Sequence, residues 1–157
     1  MIYITQKEAE TTLIHTIMKP LPLIEGKYLD SILTISNLMK EGKVGSIIII
    51  NQNNNPVGII TERDIVRRVI SEEKDPKTTT TTEIMSSPLI TVERDTYLYD
   101  VAKKMVKNKI RRLPVVEDNT LVGIVTVTDI IKYFDKKNKD NNYLSKAMIR
   151  YGKYWEE

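Results

Sequence analysis

Residues 57–70, "VGIITERDIVRRVI", return at 122–135 as "VGIVTVTDIIKYFD". Six of the fourteen positions are identical: Val57/Val122, Gly58/Gly123, Ile59/Ile124, Thr61/Thr126, Asp64/Asp129 and Ile65/Ile130. The likeness extends upstream, where "TIMKPLPLI" at 16–24 parallels "EIMSSPLIT" at 83–91. An ordered repeat of this length constrains the fold more than any single element, because one supersecondary unit must be built twice.

The unit can be read from periodicity. Ile32, Ile35, Leu38 and Met39 recur at helical spacing and are followed by Gly42. Leu98, Val101, Ala102, Met105 and Val106 do the same, with Asn108 in the place of Gly42. Gly and Asn are the residues that best tolerate the left-handed backbone closing a helix, so both positions are expected to carry it. Two strands joined by a turn come next: "SIIII", "NQNNNP", "VGIIT" in one half and "RLPVV", "EDNT", "LVGIVT" in the other. An amphipathic helix ends each half, through Ile65, Val66, Val69 and Ile70, and through Ile130, Ile131 and Phe134. Each half thus reads β-α-β-β-α, an α/β (α+β) pattern. One such unit buries too little apolar surface to stand alone. The expected fold is therefore a duplicated unit packed sheet to sheet about a pseudo-twofold axis, with an added C-terminal helix. The expected segments are an N-terminal stretch 1–13, a first unit 14–73, a connection 74–82, a second unit 83–137 and a tail 138–157. The isoleucine run 47–50 is expected in a buried interior strand, since an exposed one would invite edge pairing.

Composition narrows the function classes. The chain has 157 residues, 41% apolar and 29% charged, with a net charge of +3, too small to demand a nucleic-acid partner. It has no cysteine, hence no disulfide or thiolate chemistry, and a single histidine, His15, which is expected to be a packed or surface residue and not a zinc anchor. No apolar run approaches a membrane span, and "MIYITQKEAE" lacks a basic, then apolar, leader pattern. A cytoplasmic protein without a membrane association is expected. No nucleophile-elbow, Walker or dinucleotide-binding glycine pattern occurs.

The repeated Thr-x-x-Asp admits two compatible readings. Thr three residues before Asp at a strand-to-helix junction is the spacing of a capping box, in which Thr61 and Thr126 cap free N–H groups and Asp64 and Asp129 favour the positive end of the helix. The same junction offers a hydroxyl, free N–H donors and a carboxylate that suits a vicinal diol such as ribose. Capping alone requires neither the preceding Gly58 and Gly123 nor agreement between the copies.

The "IM..P" opening, the amphipathic helix and "RRLPVVEDNTLVGIVTVTDII" together resemble the CBS domain, named after cystathionine β-synthase, over residues 14–70 and 83–135. Two in tandem form a CBS pair, or Bateman module. The resemblance implies a regulatory module and not an enzyme, one that binds AMP, ADP, ATP or S-adenosylmethionine in clefts between the halves, with the nucleotide as a regulatory ligand and no cofactor. It implies that Asp64 and Asp129 hold ribose hydroxyls with Thr61 and Thr126 beside them. It further implies adenine contacts at Leu21, Leu23, Val44 and Gly45, and at Pro88, Ile90 and Ile110, with Arg111 and Arg112 meeting phosphates. The first half departs from this pattern, having Gly45-Ser46 where the second has Arg111-Arg112 and Ile48 in the place of Pro114. It also implies a homodimer and an unknown effector protein that receives the signal.

Two segments stand outside the repeat. Thr78–Thr82 reads as an extended, hydroxyl-rich connection, which in some CBS pairs touches ligand. In the tail, Leu144, Met148, Tyr151 and Trp155 form an apolar helical stripe, and residues 132–154 carry seven basic residues against two acidic ones. A helix docked on the module or a second subunit accounts for the stripe. The alternative function is a nucleic-acid-associated protein that uses this basic, aromatic tail, with the pair as scaffold.

Overall fold

The computed structural model describes residues 6–137. In chain order the elements are α1 (Gln6–Thr11), a 3₁₀ turn (Ile14–Thr16), β1 (Lys19–Pro20), β2 (Glu25–Lys27), α2 (Ile32–Gly42), β3 (Ser46–Ile50), β4 (Pro56–Thr61) and α3 (Glu62–Ile65), which runs on as a π-helical turn (Val66–Ile70). There follow α4 (Thr81–Ile84), β5 (Val92–Glu93), α5 (Leu98–Asn108), β6 (Arg112–Glu117), β7 (Thr120–Thr126) and α6 (Val127–Lys137). This is a mixed α+β fold with the duplicated order read from the sequence.

The chain divides into two compact units that are not consecutive stretches. One, the Asp64 unit, comprises residues 21–91 and 116–121; the other, the Asp129 unit, takes residues 6–20, 92–115 and 122–137 of the described chain. In the Asp64 unit β2, β3 and β4 form one sheet in that order, β2 parallel and β4 antiparallel to β3. Ser86 adds an antiparallel bridge to Ile59 on β4. In the Asp129 unit the order is β1-β7-β6-β5, with Lys19 opposite Ile124 and Pro20 opposite Gly123. The segment after each "IM" therefore lies beside the last strand of the other repeat, Ser86 on β4 and Lys19–Pro20 on β7. That exchange of edges is absent from a simple β-α-β-β-α reading.

Each unit has its own core. In the Asp64 unit Ile32, Ile35 and Met39 from α2 pack with Ile47 and Ile49 of β3, Ile60 of β4, Val69 and Ile84. As expected, β3 is the interior strand and Ile47, Ile48 and Ile49 are buried. The Asp129 unit buries Leu98, Val101 and Met105 of α5, Leu113 and Val115 of β6, Val125 of β7, and Phe134. Each fully buried side chain of this size contributes roughly 1.5–3 kcal/mol.

The helix ends correct one expectation. The left-handed residues are Lys43 and Lys109, at φ 50° and 54°, and not Gly42 and Asn108, which are the last residues of α2 and α5. Gly42 is small for a packing reason: a Cβ there would lie 1.8 Å from Ile24 Cδ1. Asn108 instead donates its side-chain amide to the Lys104 carbonyl at 2.8 Å.

The threonine run is also not extended. Thr79 N–H bonds the Asp75 carbonyl at 2.9 Å, and Thr80 caps α4 in a capping box with Glu83. Thr81 is buried; its hydroxyl donates to the Lys27 carbonyl and accepts from Leu29 N–H. The run's hydroxyls satisfy backbone groups both locally, at Asp75, and far off in the chain, at Lys27 and Leu29, which favours turns and caps over an extended strand. The apolar stripe Leu144–Trp155 lies outside the described residues. Among the described residues no helix is long and apolar enough to cross a membrane.

Candidate functional site

The repeated glycine-containing strands β4 and β7 each end in Thr-x-x-Asp, and both copies fold into the same capping box. In the Asp64 unit Thr61 N–H and Thr61 Oγ1–H donate to Asp64 Oδ2 at 2.9 and 2.6 Å, while Asp64 N–H donates to Thr61 Oγ1 at 3.2 Å. In the Asp129 unit Thr126 N–H donates to Asp129 Oδ2 at 2.9 Å, the Thr126 hydroxyl bonds the same oxygen, and Asp129 N–H reaches Thr126 Oγ1 at 3.2 Å. The structural reading of the motif is therefore correct in both copies. It uses only half of each carboxylate: Oδ2 accepts two hydrogen bonds, and Oδ1 stays outside the box.

Each Oδ1 faces a cation, but the two cations differ in kind and origin. Asp64 Oδ1 lies 3.5 Å from Arg68 Nη2, four residues on, and Arg68 Nη1 also donates to the Ile84 carbonyl. Asp129 Oδ1 lies 3.8 Å from Nζ of Lys19 on β1. The Asp129 side chain is 8% exposed and Asp64 16%, whereas Lys19 is 63% exposed and Arg68 42%. These carboxylates are thus sheltered groups with more exposed partners. Neither cation was singled out from the sequence. Arg68 has a readable signal, the i, i+4 spacing from Asp64 on one helical run. Lys19 has none, since only the pairing of β1 with β7 brings it to Asp129.

The other expected residues divide between the units. The Gly45 carbonyl accepts from Glu62 N–H at 3.3 Å, and the Arg111 carbonyl accepts from Val127 N–H at 2.9 Å, which brings both positions to their own junctions. Thr61 stands opposite Ser46 in the β3–β4 ladder, beside Gly45 and Val44. Leu21, Leu23, Pro88 and Ile90 all belong to the Asp64 unit, and Ile110, Arg111 and Arg112 to the Asp129 unit. Leu21 and Pro88 are exposed, and each adjoins a cis X-Pro bond, Leu21-Pro22 and Ser87-Pro88. Pro88 and Ile90 thus lie with the first repeat's sheet although the sequence places them in the second repeat. His15 is half-buried with Nδ1 3.3 Å from Asp95 Oδ1, in accord with a packed or surface role. Among the described residues no group of three or more His, Asp or Glu is placed to hold a metal.

A duplicated unit with strand, Gly, Thr-x-x-Asp and helix in each copy defines a class of tandem modules. The CBS domain sequence model matches residues 17–71 and 82–136, and the chain belongs to the CBS domain family. It is 44% identical over 111 residues to an uncharacterized protein of Methanopyrus kandleri, covering 70% of this chain and 57% of that protein. It is 37% identical over 95 residues to a CBS domain-containing protein of Bacillus subtilis, covering 60% and 66%. The chain thus spans less than two thirds of the length of these relatives. Among solved structures it resembles an uncharacterized conserved protein from Pyrococcus horikoshii, with a TM-score of 0.74, 33% identity and 80% and 93% coverage. It also resembles the CBS domain pair of protein MJ0100, solved in complex with 5′-methylthioadenosine and S-adenosyl-L-methionine (TM-score 0.71, 33% identity, 80% and 98% coverage).

Proposed function

We propose that this tandem CBS protein is a cytoplasmic regulatory module, not an enzyme, that binds an adenosine-containing ligand at its Thr-x-x-Asp junctions and signals occupancy to a partner protein as a homodimer. The observation that carries the reading is the second oxygen of each carboxylate. The capping boxes take up Oδ2 of Asp64 and Asp129 and leave Oδ1, among the described residues, facing a side-chain cation. A vicinal diol presents two O–H donors to such an acceptor and can replace the cation. The MJ0100 pair, with its two adenosine compounds, supports the ligand class. Regulation follows from population shift: a ligand favouring one conformer stabilises the surface that conformer shows to its partner. The position of Arg111 and Arg112 in the repeat suits a phosphate, for which the guanidinium fork is well shaped.

Differential scanning fluorimetry with AMP, ADP, ATP and S-adenosylmethionine tests the reading. A ligand at 100-fold its Kd stabilises the fold by about 2.7 kcal/mol. Asp64→Ala and Asp129→Ala should each lower the apo melting point through the lost cap, and at least one should abolish most of the ligand-induced shift. If both variants keep the full shift, the motif is architecture alone. Light scattering that shows only the 18.1 kDa monomer removes the homodimer.

A further inference from the structure

We infer that the two junctions are not equivalent: Asp129 is the diol site that fills first, and Arg68 holds Asp64 closed. This rests on the adenosine reading above, which it refines. Thr61 already occupies the two acceptor positions of Asp64 Oδ2, and Thr126 those of Asp129 Oδ2, so an incoming diol must use Oδ1 in either copy. What differs is what must leave Oδ1. At Asp64 it is a guanidinium held at two points, Nη2 against the carboxylate and Nη1 on the Ile84 carbonyl. Its tether is local, because Arg68 follows Asp64 by four residues through α3 and the π-helical turn. Arginine keeps its charge and its planar fork, so releasing Asp64 forfeits an oriented contact.

At Asp129 the departing group is the Lys19 ammonium, 3.8 Å away on a largely exposed side chain. Lysine is a compact point charge on a flexible stem with no oriented fork, so a diol that takes its place gives up no second hold while still satisfying the sheltered Oδ1. No arginine can substitute for it from α6, because the position matching Arg68 is Tyr133, whose hydroxyl lies 3.4 Å from Thr12 Oγ1. Two sequence differences, Arg68 against Tyr133 and Lys19 against Ser86, thus separate two junctions whose capping geometry is the same.

Isothermal titration of the full chain with AMP, ATP, S-adenosylmethionine and 5′-methylthioadenosine as separate titrants tests the order of filling. For a titrant that binds, Asp129→Asn should weaken the first equivalent by roughly tenfold or more, the loss expected for a hydrogen bond to a charged group. Asp64→Asn should leave that equivalent within about twofold, while Arg68→Gln should strengthen the second by roughly tenfold. Arg68→Lys, which keeps the charge but not the two-point hold, should fall between and serves if Arg68→Gln does not fold. If Asp64→Asn weakens the first equivalent as much as Asp129→Asn, or Arg68→Gln and Arg68→Lys leave the second unchanged, the inference is overturned while the adenosine reading stands. If no titrant binds, or binding ignores both aspartates, the adenosine reading falls and takes this inference with it.

Discussion

The Asp64 and Asp129 units perform the same local task with different residues just before each "IM". In the Asp64 unit Thr81 is buried in that stretch, and its hydroxyl ties the Lys27 carbonyl to Leu29 N–H. In the Asp129 unit the matching residue is Ile14, equally buried and wholly apolar. The backbone is held alike in both, Thr81 N–H to the Asp30 carbonyl and Ile14 N–H to the Thr96 carbonyl, each at 2.9 Å. The adjoining caps differ as well: Thr80 and Glu83 form a capping box on α4, whereas Leu13 offers no side-chain cap to the 3₁₀ turn. The comparison teaches that backbone geometry is the retained quantity. Side chains that meet its hydrogen-bond demands are exchanged wherever another way to satisfy them exists.

The core contrast makes the largest expected effect. Ile60→Ala, in the Asp64 unit, should cost about 2–5 kcal/mol in urea unfolding. Its counterpart Val125→Ala removes fewer methyl groups and should cost less. Equal losses would show that cavity relaxation, and not side-chain size, distinguishes the two cores.

The edge exchange supplies the next test. A Cβ on Gly123 would meet the Lys19 carbonyl oxygen at 2.5 Å, and one on Gly58 would meet Met85 Sδ at 2.6 Å. Backbone in a strand pair cannot yield as a methionine thioether can. Gly123→Ala should therefore destabilise by about 1–3 kcal/mol and Gly58→Ala by less, measured by thermal unfolding. The reverse order would mean that Met85 is the more rigid neighbour.

The capping boxes should respond alike. Thr61→Ala and Thr126→Ala each remove the same set of bonds, and each should cost about 0.5–2 kcal/mol. A gap larger than this range between them would indicate that Arg68 or Lys19 contributes to the cap itself.

The smallest effect concerns pH and only the Asp64 unit. Thr80 holds the Glu83 carboxyl below its ordinary value of 4.5, first through its backbone N–H and then through its hydroxyl. A carboxyl whose pKa is depressed on folding stabilises the fold above its unfolded value, and that stability is lost as pH falls through the folded value. Glu83→Gln should accordingly be slightly less stable than the wild type at neutral pH, where the carboxylate is ionised, and match it below the folded value, so that its acid limb is flatter. An unaltered acid limb in this variant would show that the Thr80 contact is not maintained in solution.

Much of the site was legible in the sequence because its parts are local. Thr61 and Asp64, or Thr126 and Asp129, are three residues apart, and that spacing alone dictates the box once a strand runs into a helix. The isoleucines of β3 likewise declared an interior strand. The αL ends were misplaced by one residue because Gly42 and Asn108 have other tasks, Gly42 packing against Ile24 and Asn108 bonding the Lys104 carbonyl, which the short-range rule for helix ends does not show. The threonine run was misread because the partners of Thr81, Lys27 and Leu29, lie far off in the chain.

What the sequence determined by itself was the repeat, the order of elements in each copy and the paired Thr-x-x-Asp junctions, since each follows from periodicity or short-range spacing. Tertiary structure alone decided that Lys19–Pro20 joins β7, that Ser86 bridges Ile59, and that Lys19 reaches Asp129. These are pairings between distant segments, and strand pairing is selected by hydrogen-bond register and burial across the whole sheet, quantities no local window contains.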